Sequence, residues 1–307
     1  MKKILFTLLV SVLAISACKD DSGEAPAPLD PLAVGEVAEL NSSLAFNFSA
    51  TYCGPCLNPG AQVCKEIITN LGDNGYFIKM HPDGSYASIA VTEEATAFET
   101  NAWNLAVEAG TAEAGYRSWP SFGVNSELMR GSNFTTYGDY ITHSGEQASI
   151  YRNSPCKANV GAKYMLEGKK LTLKYKLQSF QGLEGRHRIA FYVVENDQNS
   201  QQWGRHEDGA DPESLPVIHS PLLIGSLTGA YGEEDINGLS AGEALEGTVE
   251  YDLKYMDYDK APRMGGDYND VNVEPVLDNL DVFAIIFDGN ASNYKFVNIS
   301  KAERVTP

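Results

Sequence analysis

Residues Asn47–Cys56 read Asn-Phe-Ser-Ala-Thr-Tyr-Cys-Gly-Pro-Cys, and this stretch decides the fold around it. Apolar residues in Leu44–Phe48 predict a short buried strand before the cysteines, and Val63–Leu71 has apolar residues at a helical spacing after them. Two cysteines therefore lie between a strand and the start of a helix. A helix N-terminus stabilises a thiolate, because it offers unpaired N–H groups and the positive end of the helix dipole. We expect the pKa of Cys53 to lie below the free value of about 8.5.

The Cys53–Cys56 pair has three interpretations: a redox-active dithiol, a structural disulfide, or half of a metal site. The two-residue spacer lets Cys56 reach Cys53 and close a small disulfide ring. A zinc site needs a second pair of ligands at similar spacing, whereas Cys64 and Cys156 stand alone with no His close to either in sequence. The sequence favours the redox dithiol, leaves the structural disulfide open, and predicts no metal and no cofactor.

The segment Ala50–Cys56 resembles the active-site turn of thioredoxins, with Tyr52 where a Trp is usual. The resemblance implies a thioredoxin-like α/β domain in which Cys53 attacks a disulfide and Cys56 resolves the mixed disulfide. The residues that would position the substrate around the sulfurs are Tyr52, Gly54 and Pro55. Asn47 stands where thioredoxins have a buried acid that helps to deprotonate the second cysteine. Because a carboxamide cannot accept that proton, we expect exchange through Cys56 to be slow or to use another base.

A second signature of the same family is Trp119-Pro120, which lies at a separation from Cys53 that is usual for thioredoxin-like domains. The resemblance implies a cis proline that opens a strand and packs against the disulfide, with Trp119 and Pro120 counted among the catalytic residues. Trp119 would either wall off one side of the sulfurs or serve as a platform for the substrate. The alternative is an ordinary trans proline at a strand start.

The predicted thioredoxin-like domain covers residues 39–153. Pro59 follows Cys56 closely, and proline kinks a helix interior, so the helix is expected to break after Cys56 and restart near Ala61. The other predicted elements of this region are strands at Val34–Leu40, Tyr76–Met80 and Leu128–Arg130, helices at Glu93–Val107 and Thr135–Tyr151, and a tight turn at Asn125–Ser126.

Two further cysteines remain, Cys64 on the predicted helix and Cys156 just past the closing helix. In an oxidising compartment two leftover cysteines can pair, so a structural Cys64–Cys156 disulfide is one prediction. Buried free thiols, or a shuttle partner for the Cys53–Cys56 dithiol, are the alternatives.

Residues 154–307 change to a period-two pattern. Leu171, Leu173 and Leu177 alternate with polar residues, and Gly168 lies in a hairpin turn. Such runs between Gly- and Asp-rich loops predict an all-β antiparallel sandwich domain. The other predicted strands are Arg188–Glu195, Val249–Tyr255, Val282–Asp288 and Lys295–Val305.

Long loops of this second domain could bind an extracellular ligand, since the functional residues of sandwich domains usually lie on loops. Trp203 with His206 nearby could stack on a sugar or a peptide, or Trp203 could simply pack under its own loop. Acidic residues between Asp257 and Asp270 could bind calcium, but they lack the ligand spacing of an EF-hand loop, which favours a solvated acidic loop.

The N-terminus resembles the signal of bacterial lipoproteins. Residues 1–17 have two lysines and then an apolar run too short for a comfortable membrane span. Ile15–Cys18 resembles a lipobox, which implies that Cys18 is lipidated (palmitate among its acyl groups) and that residues 18–38 are a flexible tether. Lys19–Asp21 resembles a signal for export to the cell surface. An ordinary signal peptide is the alternative, and the periplasmic face of the outer membrane is the alternative location.

The sequence has 307 residues and a net charge of −18, which argues against nucleic-acid binding and against docking on anionic lipid. Lipobox, dithiol domain and β-domain together resemble the outer-membrane-protein-28-related lipoproteins. The expected function is a lipid-anchored thiol–disulfide oxidoreductase acting on a disulfide-containing protein or peptide client. The alternative is a surface-exposed binding lipoprotein that recognises a glycan, peptide or host ligand and uses the thioredoxin-like domain as scaffold.

Overall fold

The computed structural model describes residues 30–50, 53–82, 92–114, 118–130, 134–204, 213–253 and 276–306, with the backbone alone for 198–204 and 213–219. The chain from Pro31 to Pro307 forms one compact unit. Strands predominate over helices in it, and its sheets are mixed.

The secondary structure of the described residues is given in chain order. The helices are α1 (Gly54–Leu57), α2 (Gly60–Leu71), α3 (Glu93–Glu108) and α4 (Tyr137–Arg152), with a 3₁₀ helix at Leu277–Asn279. The strands are β1 (Ser43–Phe48), β2 (Gly75–Met80), β3 (Ser121–Val124), β4 (Glu127–Leu128), β5 (Ala158–Glu167), β6 (Lys170–Ser179), β7 (Leu183–Glu195), β8 (Gln198–Gly204), β9 (Glu213–His219), β10 (Leu222–Ser226), β11 (Ile236–Leu239), β12 (Ala244–Asp252), β13 (Leu280–Asp288), β14 (Lys295–Lys301) and β15 (Glu303–Val305).

The main sheet of the described chain has nine strands in the order β14-β13-β7-β10-β2-β1-β3-β4, with β11 beside β7. β1 and β2 are parallel, and β10 joins them in parallel through Leu222 opposite Lys79. The Lys79 N–H donates to the carbonyl of Pro221 at 2.8 Å. Strands from both sides of residue 153 therefore share one sheet, and the domain boundary at that residue stays a prediction.

A second sheet, in the order β12-β6-β5-β15, packs on the main sheet. The predicted alternation is confirmed in β6, where Leu171, Leu173 and Leu177 are fully buried in the core between the sheets. The predicted antiparallel sandwich is confirmed only in part: most of these strands pair antiparallel, but β15 runs parallel to β5 and β10 runs parallel to β2. Only Ala302 separates β14 from β15, so the chain changes sheets without the hairpin turn that would reverse it.

Helices cover the half of the main sheet that contains β1. Leu44, Phe46 and Phe48 on one face of β1 pack with Phe98 of α3. The other face packs under α2 and α4, through Ala45 among others. All six residues of β1 are buried, as a strand covered on both faces should be.

The segment predicted as a leading strand, Val34–Leu40, is not a strand. Its valines Val34 and Val37 lie over Gly161 of β5, where a Cβ atom would be 2.8 Å and 3.2 Å from their methyl groups. Side-chain amides bond its carbonyls in place of a strand ladder: Asn159 donates to Ala38 at 3.1 Å, and Asn298 donates to Leu40 at 2.9 Å.

The predicted helix break after Cys56 is confirmed. α1 ends at Leu57, Asn58 is extended, and α2 begins after Pro59, whose peptide bond is cis. The interruption separates the cysteine turn from the long helix that packs on the sheet.

Candidate functional site

The two cysteines of the dithiol form a disulfide at the end of β1. Their Cα atoms are 5.3 Å apart, and Cys53 and Cys56 are only 7% and 3% exposed. Cys53 is the N-cap residue of α1, and Gly54 and Pro55 form its first turn, where proline is favoured because the missing N–H would be unpaired anyway. The sequence thus places both sulfurs at a strand-to-helix turn, as predicted.

Trp119 lies beside this disulfide, on the loop that enters β3 and that also contains Pro120. The Trp119 side chain packs against the cluster of Ala50, Cys53 and Cys56. The Trp119–Pro120 peptide bond is cis, as expected. Pro120 also approaches the start of α2, since its Cγ atom lies 3.5 Å from where a Cβ atom on Gly60 would be. The structure therefore brings together the two predicted signatures.

Two polar side chains, Arg130 and Asn47, hold the backbone of this loop by hydrogen bonds. Arg130 donates to the Ser118 carbonyl at 3.2 Å and to Ser121 Oγ at 2.9 Å, and it also bonds Ser118 Oγ. Its guanidinium carbon lies 4.9 Å from the centre of the Trp103 ring. Asn47 donates to the Ser121 carbonyl at 3.1 Å. The thioredoxin-like pattern drew attention to Asn47 as the place of a missing acid and not as a donor, whereas no pattern in the sequence pointed to Arg130.

A buried thiol and a buried amino group lie on the α2 face of the sheet. Burial raises the pKa of the Cys64 thiol to about 11, and nearby Lys79 opposes that shift. Burial likewise lowers the pKa of Lys79 below its usual value. Lys79 is directly opposite Asn47 in the β1–β2 register, so both side chains point to the same face. Lys79 was also missed at the sequence level, because a lysine within a strand usually faces solvent.

The predicted Cys64–Cys156 disulfide is not present, and both thiols are free and buried. Cys64 packs within the core under α2 and α4. Cys156 instead lies at the start of β5, where Asn298 Nδ2 is 3.8 Å from its sulfur. The two residues are thus in separate environments, which agrees with the alternative of buried free thiols.

Strand β8 of the C-terminal half passes close to the dithiol turn. Cα atoms of α1 come within 8 Å of Cα atoms of β8. β8 pairs with β9 along Gln198–Gly204 and Glu213–His219, and these two strands form a separate sheet. The dithiol therefore has this hairpin on one side in addition to the Trp119 loop.

Several predicted site residues lie outside the described residues. Among them are Tyr52 of the turn, Cys18 of the lipobox and the acidic loop from Asp257 to Asp270. The same holds for His206 and for the side chain of Trp203.

A cavity of about 590 Å³ lies between α3 and the loop before β14. Thr96, Thr100 and Asn104 line it from α3, and Tyr231 and Tyr294 line the opposite side. The two tyrosine rings stack with centroids 4.3 Å apart. The lining is mostly hydroxyl, carboxamide and aromatic groups.

Two further findings hold for the described ranges only. No helix there is long and apolar enough to cross a membrane. No group of three or more His, Cys, Asp or Glu side chains there is arranged to hold a metal ion.

Comparison with known proteins finds similarity in structure and none in sequence. The chain shares its fold with HBP35 of Porphyromonas gingivalis. The two structures match with a TM-score of 0.57 at 15% identity, over 88% of this chain and 79% of HBP35. Neither the protein-family models nor the curated proteins include a match to the sequence.

At this level of identity the likeness to HBP35 concerns the fold alone. A second solved structure, a domain of the outer membrane lipoprotein Omp28 from Porphyromonas gingivalis, has a TM-score of 0.29 at 14% identity. That match covers 49% of this chain and 90% of the domain.

Proposed function

We propose that the chain is a thioredoxin-like thiol–disulfide oxidoreductase with Cys53 and Cys56 as its dithiol. The observation that carries the proposal is the packing of Trp119 against both cysteines, directly before the cis Pro120. An inert structural disulfide needs no such loop beside it. Asn47 and Arg130 fix that loop by hydrogen bonds to Ser121, which supports a site held in one geometry.

The exchange reaction has two steps. In the reduced protein the Cys53 thiolate attacks one sulfur of the client disulfide, which forms a mixed disulfide and releases the other client sulfur as a thiolate. The Cys56 thiolate then attacks the Cys53 sulfur, which restores the Cys53–Cys56 disulfide and releases the client as a dithiol. Both steps are reversible, and the reduction potentials of the partners decide the direction. A net reduction of clients requires a separate dithiol donor to return the protein to its reduced form.

Trapping with Cys56→Ser tests the proposal. The variant lacks the resolving thiol, so the reduced chain should accumulate a mixed disulfide at Cys53 when it is mixed with insulin, a protein that carries accessible disulfides. The matched control is Cys53→Ser with Cys56→Ser, which should trap nothing. Mass mapping of the adduct decides between outcomes: no adduct, or an adduct at Cys64, contradicts the proposal.

We further propose that the protein is an outer-membrane lipoprotein of the outer-membrane-protein-28-related type, anchored through Cys18 and exposed on the cell surface. The lipobox-like Ile15–Cys18 and the following Lys19–Asp21 support this location. Cys18→Ala should abolish labelling by radioactive palmitate and release the protein from membranes. Protease treatment of intact cells should degrade the parent protein; full protection there would favour the periplasmic face.

Ligand binding is the second candidate function, and the cavity beside α3 favours it. Its lining includes Thr100, Asn104 and Tyr294, which suit a hydrogen-bonding ligand such as a small saccharide, and the acidic side chain of Glu93, which disfavours an anionic ligand. Ligand-observed NMR with neutral mono- and disaccharides tests this function. Binding that disappears in Asn104→Leu would support it, and no binding of any sugar would count against it.

A further inference from the structure

The indole of Trp119 is held by a buried carboxyl group on a helix outside the dithiol turn. Trp119 Nε1 donates to Glu99 Oε1 at 2.7 Å. Glu99 is 1% exposed, and the other buried residues of α3 are apolar. A carboxyl group on such a face is unfavourable unless it is hydrogen-bonded, so this contact explains why the helix keeps a Glu there.

Trp119 is the link between two hydrophobic clusters. Its ring packs against Ala50, Cys53 and Cys56 on one side and against the core under α3 on the other. The hydrogen bond to Glu99 fixes the rotation of the indole, because Nε1 is the only donor of the ring. Glu99 therefore acts on the disulfide through Trp119.

We propose that Glu99 is a positioning residue that holds Trp119 as a fixed wall beside the dithiol, which limits the size of the reactants that reach Cys53. The inference rests on the proposed thiol–disulfide exchange for its biological meaning. In that exchange the wall favours a slim, extended client segment over a bulky one. The chemistry remains with Cys53 and Cys56.

The test compares two maleimides, N-ethylmaleimide and one with a bulky aromatic substituent, which react by the same chemistry. Their labelling rates at Cys53 are measured in the reduced Cys56→Ser chain. The rate for the bulky maleimide divided by the rate for the small one measures how far Trp119 restricts access to Cys53. Glu99→Leu removes the acceptor and should raise that ratio about fivefold, which is what a hydrogen bond of ordinary net strength supports. Glu99→Gln keeps an acceptor oxygen in the same place and should leave the ratio within about twofold of the parent, by the same reasoning.

A double-mutant cycle separates positioning from general loosening. Trp119→Phe removes the N–H donor, so Glu99→Leu should have no further effect on the ratio in that background. A rise of the same size there would overturn the inference, and so would an unchanged ratio in a folded Glu99→Leu chain. If circular dichroism shows that Glu99→Leu does not fold, Glu99→Met takes its place with the same expected results. Maleimide labelling needs no client, so failure of client trapping and failure of this test are independent results.

Discussion

Asn47 donates a hydrogen bond from its side-chain Nδ2 to the main-chain carbonyl of Ser121, at 3.1 Å. Asn47 is 1% exposed and lies in β1 before the dithiol, whereas Ser121 directly follows Pro120. The Asn47 side chain thus fastens the loop that contains the cis proline. Asn47 also lies opposite the buried Lys79.

Asn47→Asp should lower the free energy of unfolding and raise the rate at which the mixed disulfide resolves. The new carboxylate cannot donate to the Ser121 carbonyl when it is ionised, so we expect the free energy of unfolding at pH 7 to fall by about 1–3 kcal/mol. The same carboxylate can accept the proton of Cys56, so the mixed disulfide should resolve faster. Urea denaturation measures the first effect, and stopped-flow reduction of a disulfide peptide measures the second.

Asn47→Leu is the matched control, since it removes the donor without adding a base. It should lose similar stability and gain no rate. Equal resolution rates in the Asp and Leu variants would show that this position does not influence Cys56.

Gly60→Ala tests the close packing of α2 against the cysteine turn. The added methyl group would lie 2.8 Å from the Pro55 carbonyl oxygen, which belongs to backbone and cannot move away easily. We expect a loss of about 1–3 kcal/mol in the free energy of unfolding, as for other overpacked sites. Gly35→Ala is the control, because nothing lies within 4 Å of its added methyl group. Equal denaturation midpoints for the two variants would contradict the close packing.

The sequence predicts well those elements that local pattern determines. Apolar periodicity placed β1, β2, α2, α3 and α4 within a few residues, and the proline after Cys56 correctly indicated the helix break. The cis bond before Pro120 followed from family resemblance. In each case the signal lies in the segment itself.

Long-range features could not be predicted in the same way. The short apolar strand Leu222–Ser226 carries no signal that it pairs with β2, because pairing between distant segments leaves no local pattern. Glu99 shows the same limit within the site: a glutamate in a helix is ordinarily exposed, and its hydrogen bond with the distant Trp119 N–H leaves no local pattern in the sequence.

The Cys64 thiol should be inert at neutral pH. Because burial raises its pKa to about 11, only roughly one molecule in a thousand carries the thiolate at pH 8, and the thiolate is the reactive form. In the reduced native chain, iodoacetamide should therefore label Cys53 well before Cys64, and the rate at Cys64 should rise steeply between about pH 9 and pH 11. Mass mapping at several pH values measures both rates. Rapid labelling of Cys64 at pH 8 would contradict its burial.

The same shift predicts a loss of stability at high pH. The unfolded chain ionises Cys64 near its usual value of 9.0, while the folded chain resists ionisation up to about 11. The stability that the buried, neutral thiol contributes is fully present below pH 9.0 and is lost as the pH rises through about 11. Cys64→Ala should make the decline of unfolding free energy between these values less steep, which urea titrations at each pH can measure.

Arg130→Met tests the clamp on the loop before β3. The substitution keeps much of the side-chain volume and removes the bonds to the Ser118 carbonyl and Ser121 Oγ, so we expect a loss of about 1.5–3 kcal/mol. Arg304→Met is the control, since Arg304 also bonds carbonyls, at Leu277 and Asp278, but is exposed. Its loss should stay below about 1 kcal/mol. Equal losses of unfolding free energy in the two variants would argue against a clamp by Arg130.

Removal of the β8–β9 hairpin should expose the dithiol. Gln198 and His219 pair at the base of the hairpin, so an Asn-Gly turn can replace the residues between Asp197 and Ser220. Because β8 lies against α1, dithiothreitol should reduce the Cys53–Cys56 disulfide faster in the shortened chain under native conditions. In concentrated urea both chains should be reduced at the same rate, which controls for the chemistry of the disulfide itself. Equal rates in native buffer as well would mean that the hairpin does not limit access to the sulfurs, and Trp119 would then be the wall that decides which reactants enter.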